Sequence, residues 1–358
     1  MGELFEPIST ASETLVRLEG VVGVLPNPSV LLRSLRRREV QRSSTIENTI
    51  ASIEDLALTE VDRRRTHSEA LEVYNNLRAV ETALESPLPL CVRLLCDAHR
   101  ELMDGVRGED KRPGEFRRTQ VHIAGSSDRF ADARFVPPPP GEHLTRCVAS
   151  LELFINRGAS RPTGLHWLVE LAMLHYQFET IHPFSDGNGR LGRMLVNVAP
   201  VKLGHLKFPI ANISEYFADH REAYYEGLLR VSTHNAWGNW VRLFCTAVAR
   251  QAASDLARAR HLLKLRDSYF ARFSDARSSV LSHELVDMIF EELIVDAARV
   301  AKRLKVTAPT AQKHIKLMVQ AGIVREITGL KSDRLYAGSE IIRVLDAHPD
   351  TLSPLSTP

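Results

Sequence analysis

Between Ile181 and Asn197 the chain reads IHPFSDGNGRLGRMLVN, which crowds a histidine, an aspartate, two arginines and three glycines into twelve residues from His182 to Arg193. These residue types suit phosphate chemistry. Gly187 and Gly189 permit backbone conformations that turn successive N–H groups inward. Such a nest at the start of a helix attracts phosphate oxygens. The first-turn amides of Leu191 and Gly192 are expected to add to it, with Asn188 inside the same turn. Arg190 and Arg193, three apart, share one helix face, where two guanidinium forks can grip successive phosphates. Asp186 stands at the mouth of the nest. A bare carboxylate there would repel phosphates, so Mg²⁺ between them explains it best. His182, at the end of the preceding helix, is placed to take a proton from an attacking hydroxyl. Phe184 reads as core that holds the loop down.

Two plainer readings compete. Asn188-Gly189 is a strong hairpin signal, but the flanks have helical, not strand, period. A helix-loop-helix connection explains the glycines but not the charged residues around them. A Walker loop, G-x-x-x-x-G-K-[ST], is absent from the sequence.

The elements that must position this loop read as mostly helical. Ile46, Ile50, Ile53 and Leu56 recur at three- and four-residue steps, one helix face, and Ser44 with Glu47 fits a capping box at its start. Further helices are expected at about 68–84 and 88–103. The stretch 114–140 has different grammar. Val121 and Ile123 alternate with polar residues, Gly125, Ser126 and Ser127 follow, then Phe135 and Val136, which predicts a short hairpin. Pro137 to Pro140 must be extended. Helical period returns at 141–156 and 165–178, the latter a central buried helix. Another helix follows the glycine turn and is expected to end or kink at Pro200. More helices are expected at 216–231 and 237–265.

The tail from Val295 reads as a winged helix-turn-helix. Ala297 to Leu304 and Pro309 to Gln320 form the helices, with Thr307 as N-cap, Gly322 as C′ and an alternating stretch to Tyr336. It carries nine Lys/Arg (Arg299, Lys302, Arg303, Lys305, Lys313, Lys316, Arg325, Lys331, Arg334) against three acids (Asp296, Glu326, Asp333). A basic helix-turn-helix points to DNA; protein docking and a merely solvated face are the alternatives. No internal repeat is evident.

Composition sets the outer bounds. With 358 residues, two or three domains are expected. Apolar residues make up 44% and charged residues 25%, ordinary for a globular chain. A net charge of +2 gives no global reason for nucleic acid or membrane as main partner. Cys91, Cys96, Cys147 and Cys245 form no C-x-x-C pair and read as reduced. No stretch reaches the ~18 apolar residues of a membrane span and no leader is seen, so a cytoplasmic protein is expected.

The segment His182-Pro-Phe-Ser-Asp-Gly-Asn-Gly-Arg-Leu-Gly-Arg193 resembles the H-P-F-x-[DE]-G-N-G-R-x-x-R signature of the Fic family. The resemblance implies AMP transfer from ATP to a Ser, Thr or Tyr hydroxyl of a protein, the chain itself included. It implies His182 as base, Asp186 as Mg²⁺ ligand, and Gly187, Asn188, Gly189, Arg190, Leu191, Gly192 and Arg193 as the phosphate cradle. The stretch 114–140 is similar to the family's flap, which docks the target backbone by β-augmentation; Val121-His122 stands where the family often has Asn-Trp. Ser214, Tyr216, Tyr224 and Tyr225 match a downstream stretch in which the second tyrosine of the pair lies near adenine; a core aromatic is the equal alternative for Tyr225. Ser43-Ser-Thr-Ile-Glu47-Asn48 resembles the family's inhibitory [ST]-x-x-x-E-[GN] helix. Glu47 would then pair with Arg193 in the place of the γ-phosphate, whereas the capping box would give it only a structural role.

The expected architecture is therefore mainly α. A Fic-type helical core (101–265) with a β-hairpin flap follows an N-terminal helical region (1–100), and a winged helix-turn-helix (275–358) completes the chain. Expected partners are ATP, Mg²⁺, a protein target at the flap, DNA through the tail and a second copy of the chain; no membrane is expected. The rivals to AMP transfer are a nucleotide-sensing transcription regulator and another Fic chemistry, such as phosphate or UMP transfer. Intact His182 favours an enzyme, since a sensor has no need of the base.

Overall fold

The computed structural model describes residues 2–124, 129–157, 163–273, 279–330, 332–347 and 351. Gly125, Ser126 and Ser127 of the flap, and Lys331 of the tail, lie outside the described residues. In order, the elements are α1 (Gly2–Gly23), α2 (Ser29–Ile46), α3 (Ile53–Val61), α4 (Ser68–Glu85), α5 (Val92–Leu102), α6 (Glu142–Ile155), α7 (Trp167–Ile181), α8 (Asn188–Lys202), α9 (Ser214–Asp219), α10 (Arg221–His234), α11 (Trp237–Ala271), α12 (Ser279–Glu292), β1 (Ile294–Val295), α13 (Ala297–Leu304), α14 (Ala308–Gln320), β2 (Arg325–Glu326), β3 (Tyr336–Ala337) and α15 (Ser339–Asp346). The class is mainly α. Among the described residues no helix is long and apolar enough to cross a membrane.

Contacts divide the chain into two units. One takes Met1–Glu19, Glu39–Ile50 and Glu72–Ala253; the other takes Gly20–Arg38, Ala51–Leu71 and Ser254–Pro358. The first hundred residues are thus shared between the units rather than forming one block.

In the first unit α8 is the central rod. Every residue from Asn188 to Pro200 except Gly189 is buried, which only a helix enclosed on all sides allows. Its partner α7 buries Leu168, Leu171, Ala172, Leu174, Phe178 and Ile181. His175 of α7 stacks with Tyr224 and Trp240, and the Trp240 indole N–H donates to the Ala172 carbonyl at 2.9 Å. Pro200 does not end α8; it sits inside the last turn, which closes at Lys202. The expected 216–231 helix is two helices, parted at His220 between α9 and α10.

The expected single helix face from Ile46 to Leu56 is not there. Helix α2 stops at Ile46, Asn48 takes a left-handed conformation (φ 62°), and α3 starts afresh at Ile53. The Thr49 N–H reaches back to the Ser44 carbonyl (3.1 Å) and the Asn48 N–H to Thr45 (3.0 Å), a Schellman-type ending. Glu47 is therefore at a helix C-terminus, not at position N3, and Ser44 is no N-cap. The capping box lies later, where Ser52 and Asp55 exchange 3.0 Å bonds at the start of α3. Ile50, freed from any helix face, is 73% exposed.

The flap is also reduced. Among the described residues one antiparallel bridge, Ile123 to Phe135, stands for the hairpin, with a 3₁₀ turn at Phe130–Asp132.

The second unit holds the C-terminal module. Its sheet has the order β1-β3-β2, both pairs antiparallel, with Val295 opposite Tyr336 and Arg325 opposite Ala337. Asp296 caps α13 by accepting from the Arg299 N–H (2.8 Å). Left-handed Lys305 (φ 55°) makes the turn into α14, and left-handed Gly322 (φ 70°) leaves it. Thr307 occupies the N-cap without a side-chain capping bond, its hydroxyl paired with that of Thr310. Helix α12 has no counterpart in the sequence reading.

Candidate active site

His182 ends α7 in the left-handed region (φ 51°), its N–H bonded to the Phe178 carbonyl at 2.9 Å. A non-glycine residue in this region carries local strain of about 1–3 kcal/mol. Its ring Nδ1 lies 3.2 Å from the Glu179 carbonyl. A carbonyl only accepts, so Nδ1 carries the proton and Nε2 is left as the basic nitrogen. Burial pushes its pKa down to about 4, so the ring is neutral at pH 7.

Arg117, only 3% exposed, fixes this turn from below. Its Nε donates to the His182 carbonyl (2.8 Å), its backbone N–H to the Pro183 carbonyl (3.0 Å), and a terminal nitrogen to the Pro138 carbonyl. The segment around Pro138 and the His182 turn are thereby stitched together.

Past the turn, Asn188 does not face a ligand. Its amide closes the loop on Phe184, accepting from the Phe184 N–H (2.9 Å) and donating to the Phe184 carbonyl (2.8 Å). Leu191 is fully buried and its N–H is taken by the Gly187 carbonyl (3.1 Å), so it adds no amide to the nest. The amides left without intrahelical acceptors are those of the first turn, Asn188 to Arg190. Gly192 serves packing: a Cβ there would lie 2.1 Å from Glu179 Oε1. The Glu179 carboxyl beside it is pushed up to about 8 by burial, so it stays protonated at neutral pH.

Arg190 and Arg193 are 3% and 2% exposed, and Glu47 bridges them. Its Oε1 is 2.7 Å from Arg193 Nη2 and its Oε2 is 3.0 Å from Arg190 Nε. Arg193 also donates to the Ser43 hydroxyl (2.8 Å) and carbonyl (3.0 Å). Arg190 lies 3.6 Å from Glu72, which accepts from the Thr49 hydroxyl at 3.1 Å. Burial alone would raise the Glu47 carboxyl, but the two guanidiniums outweigh it and hold it below its usual value. Gly189 makes the close approach possible, since a Cβ there would stand 2.5 Å from Glu47 Oε1.

Asp186 accepts from the Gly187 N–H (2.7 Å) through Oδ1 and from Lys111 Nζ (3.0 Å) through Oδ2. Burial would raise this carboxyl too, but Lys111 and the Gly187 amide hold it low. Among the described residues no group of three His, Cys, Asp or Glu side chains could hold a metal. Asp186 stands as a single carboxylate at the start of α8, with Lys111 as the cation at its Oδ2.

Tyr225 borders a cavity of about 50 Å³ with Ile123, Phe135, Glu179, Leu228 and Ser232. The Arg134 and Arg221 guanidiniums each lie 5.5 Å from its ring centre. Its neighbour Tyr224 is the core member of the pair, 1% exposed and bonded to His175. A larger cavity of about 420 Å³, at the opposite end of α7 beside Trp167 and Leu203, contains none of the site residues.

Sequence reasoning missed Lys111, Arg117, Glu72 and His99. His99 is 2% exposed, stacks on Phe184 at 4.0 Å, accepts from the Gly114 N–H (2.7 Å) and donates to the Asp186 carbonyl (3.1 Å). The available signal was the run of glycines at 105, 108 and 114, which announces a backbone packed unusually close to something.

The Fic/DOC family N-terminal pattern matches residues 5–85, and the Fic/DOC family pattern matches residues 89–199. A protein adenylyltransferase Fic of Culex quinquefasciatus is 35% identical over 166 residues, 45% of this chain and 29% of that protein. Its namesake in Drosophila grimshawi is 30% identical over 156 residues, 42% of this chain and 29% of that protein. The chain thus spans less than a third of the length of these curated relatives. A crystal structure of a Fic family protein from Desulfovibrio desulfuricans G20 shares the fold with a TM-score of 0.60 at 18% identity, covering 94% of this chain and 96% of that one. A Fic domain containing signaling protein from Bacteroides thetaiotaomicron gives 0.55 at 17% identity over 70% of this chain and 97% of that one. Two adjoining patterns of one family, 5–85 and 89–199, cover more than half of the sequence and include Glu47, Lys111, His182, Asp186, Arg190 and Arg193: the chain belongs to the Fic family.

Proposed function

We propose that the chain transfers AMP from ATP to Ser, Thr or Tyr hydroxyls of proteins, itself included, in the cytoplasm, and that Glu47 holds it at rest. The observation that carries this reading is a neutral histidine with a free Nε2 beside a helix N-terminus whose two arginines are occupied by a carboxylate. In the transfer, the hydroxyl oxygen bonds to the α-phosphorus while the bond from that phosphorus to pyrophosphate breaks. The hydroxyl proton passes to His182 Nε2. The first-turn amides of α8 hold phosphate oxygens, and Arg190 and Arg193 take the β- and γ-phosphates once Glu47 has left. Mg²⁺ between Asp186 and the phosphates would neutralise their charge. The ring face of Tyr225, at the edge of its small cavity, offers the base a stacking surface, and the edge near Ile123 takes the target backbone. Two relatives named protein adenylyltransferase support the donor.

Intact-mass analysis of Glu47→Gly protein incubated with Mg²⁺ and ATP tests this. A gain of one AMP per modified site is expected. A gain of one phosphate would identify another chemistry, and no gain under any protein target would leave a sensor.

A second reading concerns the C-terminal module, which we read as a DNA-binding element. Gln312, Lys313, Lys316 and Gln320 form one exposed stripe of α14, a helix without a single acid. Such a face suits a major groove.

A further inference from the structure

Lys111 has no role in the reading above, yet it stands where a cation for Asp186 would stand. We propose that Lys111 is an intramolecular counter-ion that occupies Asp186 in the nucleotide-free protein and passes to the phosphate chain when a divalent ion takes the carboxylate. This rests on the reading of Asp186 as the metal-binding carboxylate.

The placement is built. Lys111 ends a 3₁₀ turn, Glu109–Lys111, flanked by two left-handed residues, Gly108 (φ 93°) and Arg112 (φ 61°). Arg112 has a Cβ and is strained there, so the surroundings must hold it. Gly108 lets the turn come down on the carboxylate: a Cβ at this position would sit 3.3 Å from Asp186 Oδ2 and 2.8 Å from the Met103 methyl. The far end of the segment is tied to the same loop, because the Gly114 N–H bonds to His99, whose other nitrogen bonds to the Asp186 carbonyl. Glu109 and Asp110 adjoin Lys111 in sequence, but its ammonium reaches across 75 residues to Asp186. Arg112, next along, takes the local Glu115 instead (3.3 Å).

The charges then balance in a particular way. Glu47 stands on Arg190 and Arg193, where phosphates would bind, and Lys111 stands on Asp186, where a metal ion would bind. Each is a covalently attached substitute of the correct sign. A divalent ion arriving alone must displace an ammonium 3.0 Å from its ligand oxygen into water, at the modest loss of a half-exposed ion pair. An ion arriving with a triphosphate meets no such loss, because the released ammonium, on a flexible four-carbon stem, finds phosphate oxygens nearby. Metal and nucleotide must then favour each other's binding, by the same factor in either order.

The test uses the full chain carrying Glu47→Gly, so that the arginines are free. Mn²⁺ binding is followed by electron paramagnetic resonance with and without ATP, and ATP binding by calorimetry in EDTA. Lys111→Met should tighten Mn²⁺ binding to the nucleotide-free protein about tenfold and weaken metal-free ATP binding several-fold. Lys111→Arg, which keeps the charge, should behave like its parent. Unchanged Mn²⁺ and ATP affinities in Lys111→Met, with Mn²⁺ binding lost in Asp186→Asn, would overturn the proposal while leaving AMP transfer standing. Undiminished Mn²⁺ binding in nucleotide-free Asp186→Asn would remove the metal reading and this proposal together.

Discussion

At the start of α8, Arg190 and Arg193 are almost wholly enclosed and share the Glu47 carboxylate at 3.0 and 2.7 Å. On α14, Lys313 and Lys316 stand exposed and make no ion pair among the described residues. The two regions use positive charge for different purposes. Enclosed charge must be paired, so it can be switched only by exchanging one partner for another. Exposed charge needs no partner, carries little fixed geometry, and acts at a range that salt controls. A site of the first kind is suited to catalysis held in check; a face of the second kind is suited to a polyanion.

The sharpest way to break the comparison is at the base. His182→Ala should cut transfer by about 10²–10⁴-fold while ATP binding persists, since the histidine touches the nucleophile rather than the phosphates. Equal self-labelling in that variant would remove His182 from the chemistry. Next comes the exchange of partners. Glu47→Gly should raise transfer at least about tenfold, and Arg193→Ala combined with it should be inactive. The same Glu47→Gly change leaves two enclosed guanidiniums short of a carboxylate. Stability should therefore fall by up to about 3 kcal/mol, less than for a wholly buried pair because Glu47 is a quarter exposed. ATP at about 100 times its Kd should return about 2.7 kcal/mol of it. A melting temperature that drops without any gain in labelling would make Glu47 a structural cap and nothing more.

The loop from His182 to Arg193 was legible as a cluster because its residues are contiguous. His182, Asp186, Gly189, Arg190 and Arg193 announce a phosphate site by type and spacing alone. What surrounds them was not, for reasons that differ residue by residue. Glu47 was legible as a partner for Arg193 only through resemblance; its local spacing suggested a helix start, whereas α2 ends at Ile46, two residues before the left-handed Asn48. Its second partner, Arg190, needed the tertiary structure. Arg117, His99 and Lys111 act across 65, 87 and 75 residues of sequence, which no local period reports. Type and spacing did not report that the Asn188 side chain braces Phe184 while its backbone amide stays in the first turn, or that the Leu191 amide is already taken by the Gly187 carbonyl. The C-terminal module was read well because its turn residues, Lys305 and Gly322, take the conformations that its helix ends require.

A smaller effect probes how enclosed the base is. Its folded pKa is depressed to about 4, so the neutral, proton-accepting form persists well below the usual histidine value. The acid limb of kcat/KM for Glu47→Gly should then lie near pH 4, and not higher, because removing Glu47 also removes a charge that favours the imidazolium. Circular dichroism at the same pH values must show the chain still folded. A limb near 6.5 would place His182 in open water, contrary to its packing.

The exposed face of α14 should answer to salt. Each lysine that meets a DNA phosphate releases counterions, so the logarithm of affinity should fall linearly with the logarithm of salt. Lys313→Ala and Lys316→Ala should each weaken binding of duplex DNA modestly at low salt and reduce the slope by about one. Neither should alter transfer by Glu47→Gly, because neither lysine belongs to the unit that contains His182. Glu47→Gly, in turn, should leave the salt slope where it was. Gln312→Ala should act differently from the lysines: an amide that reads a base edge changes which sequence is preferred and leaves the slope alone. Gel-shift titrations between about 50 and 200 mM salt measure both quantities. An absence of binding at the lowest salt, or a slope that neither lysine changes, would mean that this stripe of α14 meets protein or solvent instead.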